Sequence, residues 1–252
     1  MIRLKSPREI GAMRRAGEIT GQALKAAQRA IEPGVTTKQV EAVIKKVIKR
    51  AGAVPAFLGY GGFPGSACIS VNEEVIHGIP GSRVLHNGDI VSVDVGTVWN
   101  GFYGDAAATF PVGNVSKQAR ELILVTRECF YKGLAFAREG WRLSDISFAV
   151  QSHAEQAGFS VVREWTGHGV GLQLHEEPQV PNFGEPGHGP RLRRGMTFAV
   201  EPMINAGCSD VRMLTDGWTV VTKDGGWSAH YEHTVLITAD IPDLLTAWEE
   251  TA

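Results

Sequence analysis

Helical and extended periodicities follow one another along the chain in two similar rounds. Ser6-Pro7-Arg8-Glu9 combines an N-cap residue, a proline at the first helical position and a capping-box glutamate. Small and apolar residues then recur on one helical face at Ile10, Met13, Gly17, Leu24, Ala27 and Ile31, until Glu32-Pro33-Gly34 stops the helix. Thr36 or Thr37 caps a second helix, in which Val40, Val43, Ile44, Val47 and Ile48 form a stripe opposite Lys45, Lys46, Lys49 and Arg50. Gly52 ends it. Residues 67–71, 89–99 and 102–110 are β-rich, with Asn100-Gly101 a two-residue hairpin signal between the last two. A third helix is predicted from Ser116 to about Arg138 and a fourth from Ser144 to Gln156, terminated by Gly158. Strands resume near 159–165, 196–201, 211–221 and 231–238, separated by the Gly/Pro-rich stretch 181–195.

The order helix, helix, strands therefore appears once before about residue 115 and once after it. Two similar α+β halves, approximately 1–115 and 116–252, packed as one domain over 1–252 are expected, although no repeat is visible residue by residue. With 252 residues of which 43% are apolar, such a unit can bury a sizeable core. A formal net charge of −2 leaves no overall field for nucleic acid or an acidic membrane, and no sequence-specific nucleic-acid partner is expected. The three cysteines, Cys68, Cys129 and Cys208, lie far apart without CxxC spacing, which suits a reducing compartment. No apolar segment follows the basic residues near the N-terminus, so a cytoplasmic protein is expected. The charge-free stretch from Ala51 to Asn72 is long enough to span a bilayer, yet glycines and prolines interrupt it throughout, and it reads as loop and short strand.

A two-residue loop at Asn100-Gly101 pairs Trp99 with Phe102, Asp94 with Ala107 and Gly96 with Asp105. Asp94 and Asp105 then share a face as diagonal neighbours, roughly 7–8 Å apart at the backbone. Gly96 and Ala107 leave room beside them. A cation between the two carboxylates would explain the arrangement, since without one they repel. Taken alone, the pair also fits a solvent-exposed sheet face. His168 lies within Gly167-His168-Gly169-Val170-Gly171, where side chains leave space for a close approach of backbone and ligand, although a lone histidine is commonly structural. Glu201 ends the apolar run Met196–Val200, and Glu232 lies inside an apolar strand; each would be costly to bury unpaired, and each also fits a salt bridge or strand-end exposure. Together the five form a carboxylate-rich set with a single imidazole, suited to hard or borderline ions. Four carboxylates match two divalent charges, as a two-metal hydrolase needs with ions about 3.5–4 Å apart and a water made nucleophilic between them. The HExxH, GxSxG, GxGxxG and P-loop patterns are absent, and His175-Glu176-Glu177-Pro178 does not complete the first.

Asn72-Glu-Glu-Val-Ile-His77-Gly-Ile-Pro, Gly88-Asp-Ile-Val-Ser-Val-Asp94, Gly104-Asp105, Gly167-His168-Gly-Val-Gly, His175-Glu-Glu-Pro, Glu201-Pro and Tyr231-Glu232-His-Thr together resemble the methionine aminopeptidase family, in its short bacterial type I form. The resemblance runs almost the whole chain. It implies the pita-bread fold, two related α+β halves around a curved antiparallel sheet. It implies removal of the initiator methionine from nascent chains and peptides whose second residue is small, with two divalent ions (Co, Mn, Fe or Zn). Asp94 would chelate one ion, Asp105 and Glu232 would bridge both, and His168 and Glu201 would complete the other site. Glu201 would also serve as general base, and His77 and His175 would donate to the developing tetrahedral centre. His77 could instead brace the turn at Gly78-Ile79-Pro80. Tyr60, Phe63, Cys68 and Trp218 would line the methionine pocket; core packing is the alternative for each, and Cys68 reads as a small buried hydrophobe.

Two positions depart from the family pattern. Leu174 stands where phenylalanine is common and would alter the pocket wall. His230 stands where glutamine is usual, on the same strand face as Glu232, where it would act as a donor behind the ligands or change metal preference. A non-catalytic, partner-binding protein of this fold is the rival of another class, but such proteins typically lose ligands. Proline-specific aminopeptidases and creatinase-like hydrolases usually carry a further N-terminal domain. Lys45, Lys46, Lys49, Arg50, Arg191, Arg193 and Arg194 could face the ribosome or form ordinary solvated surface. A monomer is expected.

Overall fold

The computed structural model describes residues 2–248. Ser6 caps α1 (Pro7–Ala30): its hydroxyl accepts from Glu9 N at 3.4 Å, while Glu9 Oε2 accepts from Ser6 N at 2.7 Å. Thr36, rather than Thr37, caps α2 (Thr37–Arg50), with Gln39 closing the box. α3 (Lys117–Leu134) and α4 (Leu143–Gln156) form the corresponding pair in the second half.

α3 stops four residues before the predicted end at Arg138. Beyond Gly133 the backbone tightens, with Phe136 N donating to Gly133 O and Ala137 N to Leu134 O, both at 3.0 Å. Leu134 and Ala137 still face the core, so the apolar period outlasts the helix. The strand predicted over 211–221 is two strands, Val211–Met213 and Val220–Thr222, joined by a turn. Asp216 makes that turn by accepting from Trp218 N, Thr219 N and Thr219 Oγ1, with Gly217 at φ 78°. Asp216-Gly217 is a hairpin signal of the same kind as Asn100-Gly101, hidden by the β-branched residues that follow it. The strand predicted over 159–165 shrinks to Ser160–Val161.

One nine-stranded antiparallel sheet draws on both halves of the sequence. Its order is Val54–Pro55, Ile90–Trp99, Phe102–Pro111, Glu232–Leu236, Thr197–Val200, Gly167–Gly169, Glu176–Val180; Cys68–Val71 pairs alongside Ile90–Trp99, and Asp243–Leu244 alongside Glu232–Leu236. The central hairpin has the expected register, with Trp99 opposite Phe102, Gly96 opposite Asp105 and Asp94 opposite Ala107. Asn100 and Gly101 take φ 49° and 79°, the two left-handed residues of a type I′ turn.

Alternation then sorts the two faces. Val91, Val93, Val95, Ala106 and Ala108 point back into the main core with Leu24 of α1 and Ile44 of α2. Asp94 and Asp105 point forward. α1 crosses the back of the sheet where side chains vanish: a Cβ on Gly104 would lie 2.7 Å from Gly17 N, and one on Gly17 would lie 2.0 Å from Leu245 O. Thr20 Oγ1 donates to Gly104 O at 3.1 Å in this contact. Helix propensity favours alanine over glycine by about 1 kcal/mol, but an overlap with backbone costs up to about 3 kcal/mol or more. Gly17→Ala is therefore expected to lower stability by about 2 kcal/mol, read from urea melts; unchanged stability would mean that the 243–246 segment moves aside freely. Among the described residues, no helix is long and apolar enough to cross a membrane.

Candidate metal centre

Five adjacent strands of the large sheet each bring one chemically active side chain to its front. Asp94 lies on Ile90–Trp99, Asp105 on Phe102–Pro111 and Glu232 on Glu232–Leu236; Glu201 follows Thr197–Val200 directly, and His168 is the centre of Gly167–Gly169. Ala107 is opposite Asp94 on one side and Glu232 on the other. Its methyl group sets the floor between two carboxylates, and Asp105 stands diagonal to both. Pro202 has no N–H to extend the ladder after Glu201, and Asn182 Nδ2 donates to Glu201 O at 2.9 Å, holding that strand end. Thr234 Oγ1 accepts from Asp105 N and donates to Asp105 O.

Burial dominates the electrostatics. Asp105, Glu201 and Glu232 are 3%, 8% and 2% exposed. Desolvation, followed by repulsion from neighbouring carboxylates, pushes the Asp94, Glu201 and Glu232 carboxyls well above their ordinary range. Desolvation also lifts Asp105, though Asp94 and the Ala106 N–H ease it, and it stands at about 7. Burial depresses His168 to about 3. That imidazole is neutral, with Nδ1 3.0 Å from Gly169 O. The proton therefore sits on Nδ1, and the Nε2 lone pair faces Asp105 Oδ2 at 3.8 Å and Glu201 Oε1 at 3.6 Å.

A cation fits these residues. Asp94 Oδ1, Asp105 Oδ1, Glu201 Oε1 and Glu232 Oε1 are buried without any hydrogen-bond partner, a costly state for four acceptors at one point unless something positive binds there. Ligating atoms of Asp105, His168 and Glu232 lie within 4.8 Å of one another, and so do those of Asp94, His230 and Glu232. Oxygen donors with imidazole nitrogen suit hard to borderline divalent ions.

The five expected ligands, His77, His175 and the four expected pocket residues all line one cavity of about 810 Å³, whereas His230 lies behind its wall, 2% exposed. His77 projects from backbone at φ 60°, a left-handed conformation rare outside glycine. Ile69 N donates to Gly78 O and Gly78 N to Ser70 Oγ, which hold that turn. Desolvation lowers His77 to about 4, and Trp165 meets its ring edge-on at 5.0 Å. His175 stands across the cavity, its ring 4.1 Å from that of His168 and its Nδ1 2.7 Å from Tyr60 Oη. Phe63, Cys68 and Leu174 pack together as an apolar wall with Trp218 against them. Burial raises the Cys68 thiol well above its usual value, so it stays protonated and contributes bulk rather than a nucleophile.

Two supports were not visible in the sequence. Lys5 is 6% exposed and pairs with Glu176 at 2.6 Å, and Glu176 Oε1 accepts from Leu172 N and Gln173 N, shaping the turn that delivers His175. These partners are 171 residues apart, and no local pattern announces them. Trp165 lies in what reads as a plain β-rich stretch.

A family model described as metallopeptidase family M24 matches residues 11–239. Methionine aminopeptidase 1 of Bacillus subtilis is 53% identical over 246 residues, covering 98% of this chain and 99% of the relative. The crystal structure of methionine aminopeptidase from Thermotoga maritima is similar with a TM-score of 0.96 at 48% identity, covering 98% of this chain and 99% of that one. The prolidase of Pyrococcus furiosus is similar with a TM-score of 0.80 at 25% identity, over 98% of this chain and 66% of that one.

Proposed function

The chain belongs to metallopeptidase family M24, with the pita-bread α+β fold and the activity of a methionine aminopeptidase, and we propose that it works through two divalent ions held by Asp94, Asp105, His168, Glu201 and Glu232. The observation that carries this reading is one such residue on, or for Glu201 directly after, each of five neighbouring strands, with four buried oxygens left unpartnered. The set draws on both halves, 1–115 and 116–252, so the halves act as one catalytic unit, complete in a monomer. Co, Mn, Fe or Zn would suit the donors. Bound there, such ions would polarise the scissile carbonyl and lower the pKa of a water to make it nucleophilic.

The remaining steps belong to side chains. The apolar wall of Phe63, Cys68, Leu174 and Trp218, with Tyr60 at the mouth, receives the methionine side chain and excludes water beside the carboxylates. Glu201 accepts a proton from the attacking water. Tyr60 Oη lies 2.7 Å from His175 Nδ1 and orients that ring; in the tautomer with the proton on Nε2, His175 offers an N–H donor, as neutral His77 does, to the oxygen that gains charge. The substrate's second residue must pass these imidazoles, which favours small side chains in initiator-methionine removal from nascent chains. Lys46, Lys49 and Arg50 lie exposed on α2 and could meet the ribosome, whereas Arg191 donates to Gly140 O and Arg194 pairs with Glu139.

Chelator-treated protein titrated with Mn²⁺, Fe²⁺, Co²⁺ or Zn²⁺ is expected to release methionine from a Met-Ala peptide and far more slowly from a Met-Leu peptide. Absence of release with every ion would reject the metal assignment, and equal rates would reject the steric reading of the second residue.

A further inference from the structure

We propose that His230 is a second imidazole ligand of this centre, completing a cation site with Asp94 and Glu232; the inference rests on the two-ion reading above. His230 is 2% exposed, and its Nε2 has no hydrogen-bond partner. That atom lies 3.8 Å from Glu201 Oε2 and 3.8 Å from Glu232 Oε2. These separations are too long for hydrogen bonds to either carboxylate. They match the edge between two ligands of one ion: bonds of about 2.0–2.2 Å opened to tetrahedral or trigonal angles put ligand atoms about 3.3–3.8 Å apart. His168 Nε2 stands in the same relation to Asp105 and Glu201, at 3.8 and 3.6 Å.

The two imidazoles occupy comparable places in two triads, Asp105–His168–Glu232 and Asp94–His230–Glu232, that meet at Glu232. The backbone holds His230 there. Its N–H donates to Thr109 Oγ1 at 2.8 Å, and its carbonyl accepts from the same hydroxyl at 2.9 Å. Ser92 Oγ, 2.7 Å from Thr109 Oγ1, steadies that hydroxyl in turn. Met203 pairs with His230 across the neighbouring strand. His230 and Glu232 do not share one strand, as the sequence suggested: His230 ends Ser228–His230 of a separate three-stranded sheet, and Glu232 opens Glu232–Leu236 of the large sheet, yet their ligand atoms meet with those of Asp94. Each ion then has one nitrogen donor, and the Asp94 site shifts from an all-oxygen set, which suits Mn²⁺ or Mg²⁺, toward Fe²⁺, Co²⁺ or Zn²⁺.

The test is a spectrum of protein labelled with ¹⁵N-histidine and loaded with two equivalents of Co²⁺. A histidine coordinated through Nε2 keeps an Nδ1–H whose resonance the paramagnetic ion shifts far outside the ordinary range. Two such resonances are expected, one lost in His230→Gln and the other in His168→Gln. Equilibrium dialysis of His230→Gln should show one of the two Co²⁺ steps weakened by on the order of tenfold or more, with the other step unchanged. A single shifted resonance that is lost only in His168→Gln overturns the role of His230 and leaves the two-ion reading intact. Failure to bind Co²⁺, or binding without any shifted histidine resonance, overturns that reading itself. The count in the unmutated protein decides the question even if a variant does not fold.

Discussion

Glu201→Gln is expected to abolish methionine release while raising the melting temperature of the metal-free protein. Loss of a general base costs on the order of 10²- to 10⁴-fold in kcat, and the amide is also a poorer ligand than the carboxylate. Stability moves the other way. Glu201 is 8% exposed beside buried Asp105 and Glu232 and half-buried Asp94, and its acidity is suppressed first by desolvation and then by repulsion from Asp105. Glutamine keeps the volume and is neutral at every pH, so it removes a group that must either hold a proton or carry an uncompensated charge in the metal-free cluster. The Asn182 bond to the backbone carbonyl of residue 201 survives the change. Steady-state release and calorimetry of chelator-treated protein at pH 8 provide both readouts. Activity within tenfold of the parent would remove Glu201 from the proton transfer, and a lower metal-free melting temperature would mean that its charge is already balanced within the protein.

Removal of metal should make stability fall steeply as pH rises above about 6.5, whereas the loaded protein should hold its melting temperature through pH 8. Two sets of groups oppose each other below that point. The carboxyls of Asp94, Asp105, Glu201 and Glu232 have folded pKa values raised above the unfolded range, so the folded state binds extra protons and loses stability as pH rises from about 4. His77, His168 and His230 are depressed to about 4, 3 and 3, chiefly by burial. There the unfolded state binds the extra protons, and stability rises with pH until the unfolded histidine value of about 6.5 is passed. The two contributions largely offset each other between pH 4 and 6.5. Above that range only the carboxyls remain in play. Asp105 titrates at about 7, and the other three are raised well beyond the usual carboxylate range. Each carboxyl still protonated in the folded state contributes about 1.4 kcal/mol per pH unit, or about 3–5 °C in Tm for a chain of this size. Divalent ions substitute for those protons, so loading at pH 7 should release protons, measurable by titration calorimetry in buffers of different ionisation enthalpy. A metal-free melting temperature that is flat from pH 6.5 to 8 would show that the carboxyls are not held protonated.

The sequence by itself determined whatever depends on neighbours along the chain. Ser6, Pro7 and Glu9 specify the start of α1 because an N-cap involves only the first turn. Asn100-Gly101 specifies a hairpin, and strand parity then carries Asp94 and Asp105 to one face without any tertiary information. Asp216-Gly217 shows the limit of such local reading: the signal was present, yet the apolar and β-branched residues after it read as one continuous strand. Tertiary structure alone decided which strands lie side by side. Glu232 joins the two aspartates because its strand pairs at Ala107, while Glu201 and His168 arrive from strands further along the same sheet. From sequence, those three could be placed only through family resemblance. His230 was visible as a departure from the family pattern, but its approach to Glu201 and Glu232 is a distance between side chains from different strands. Lys5 and Glu176 belong to the same class, meeting only when the chain's start packs against the His175 turn. Local hydrogen bonding and side-chain alternation are properties of short segments, whereas burial and convergence of charge arise only when strands distant in sequence pack together and water is excluded between them.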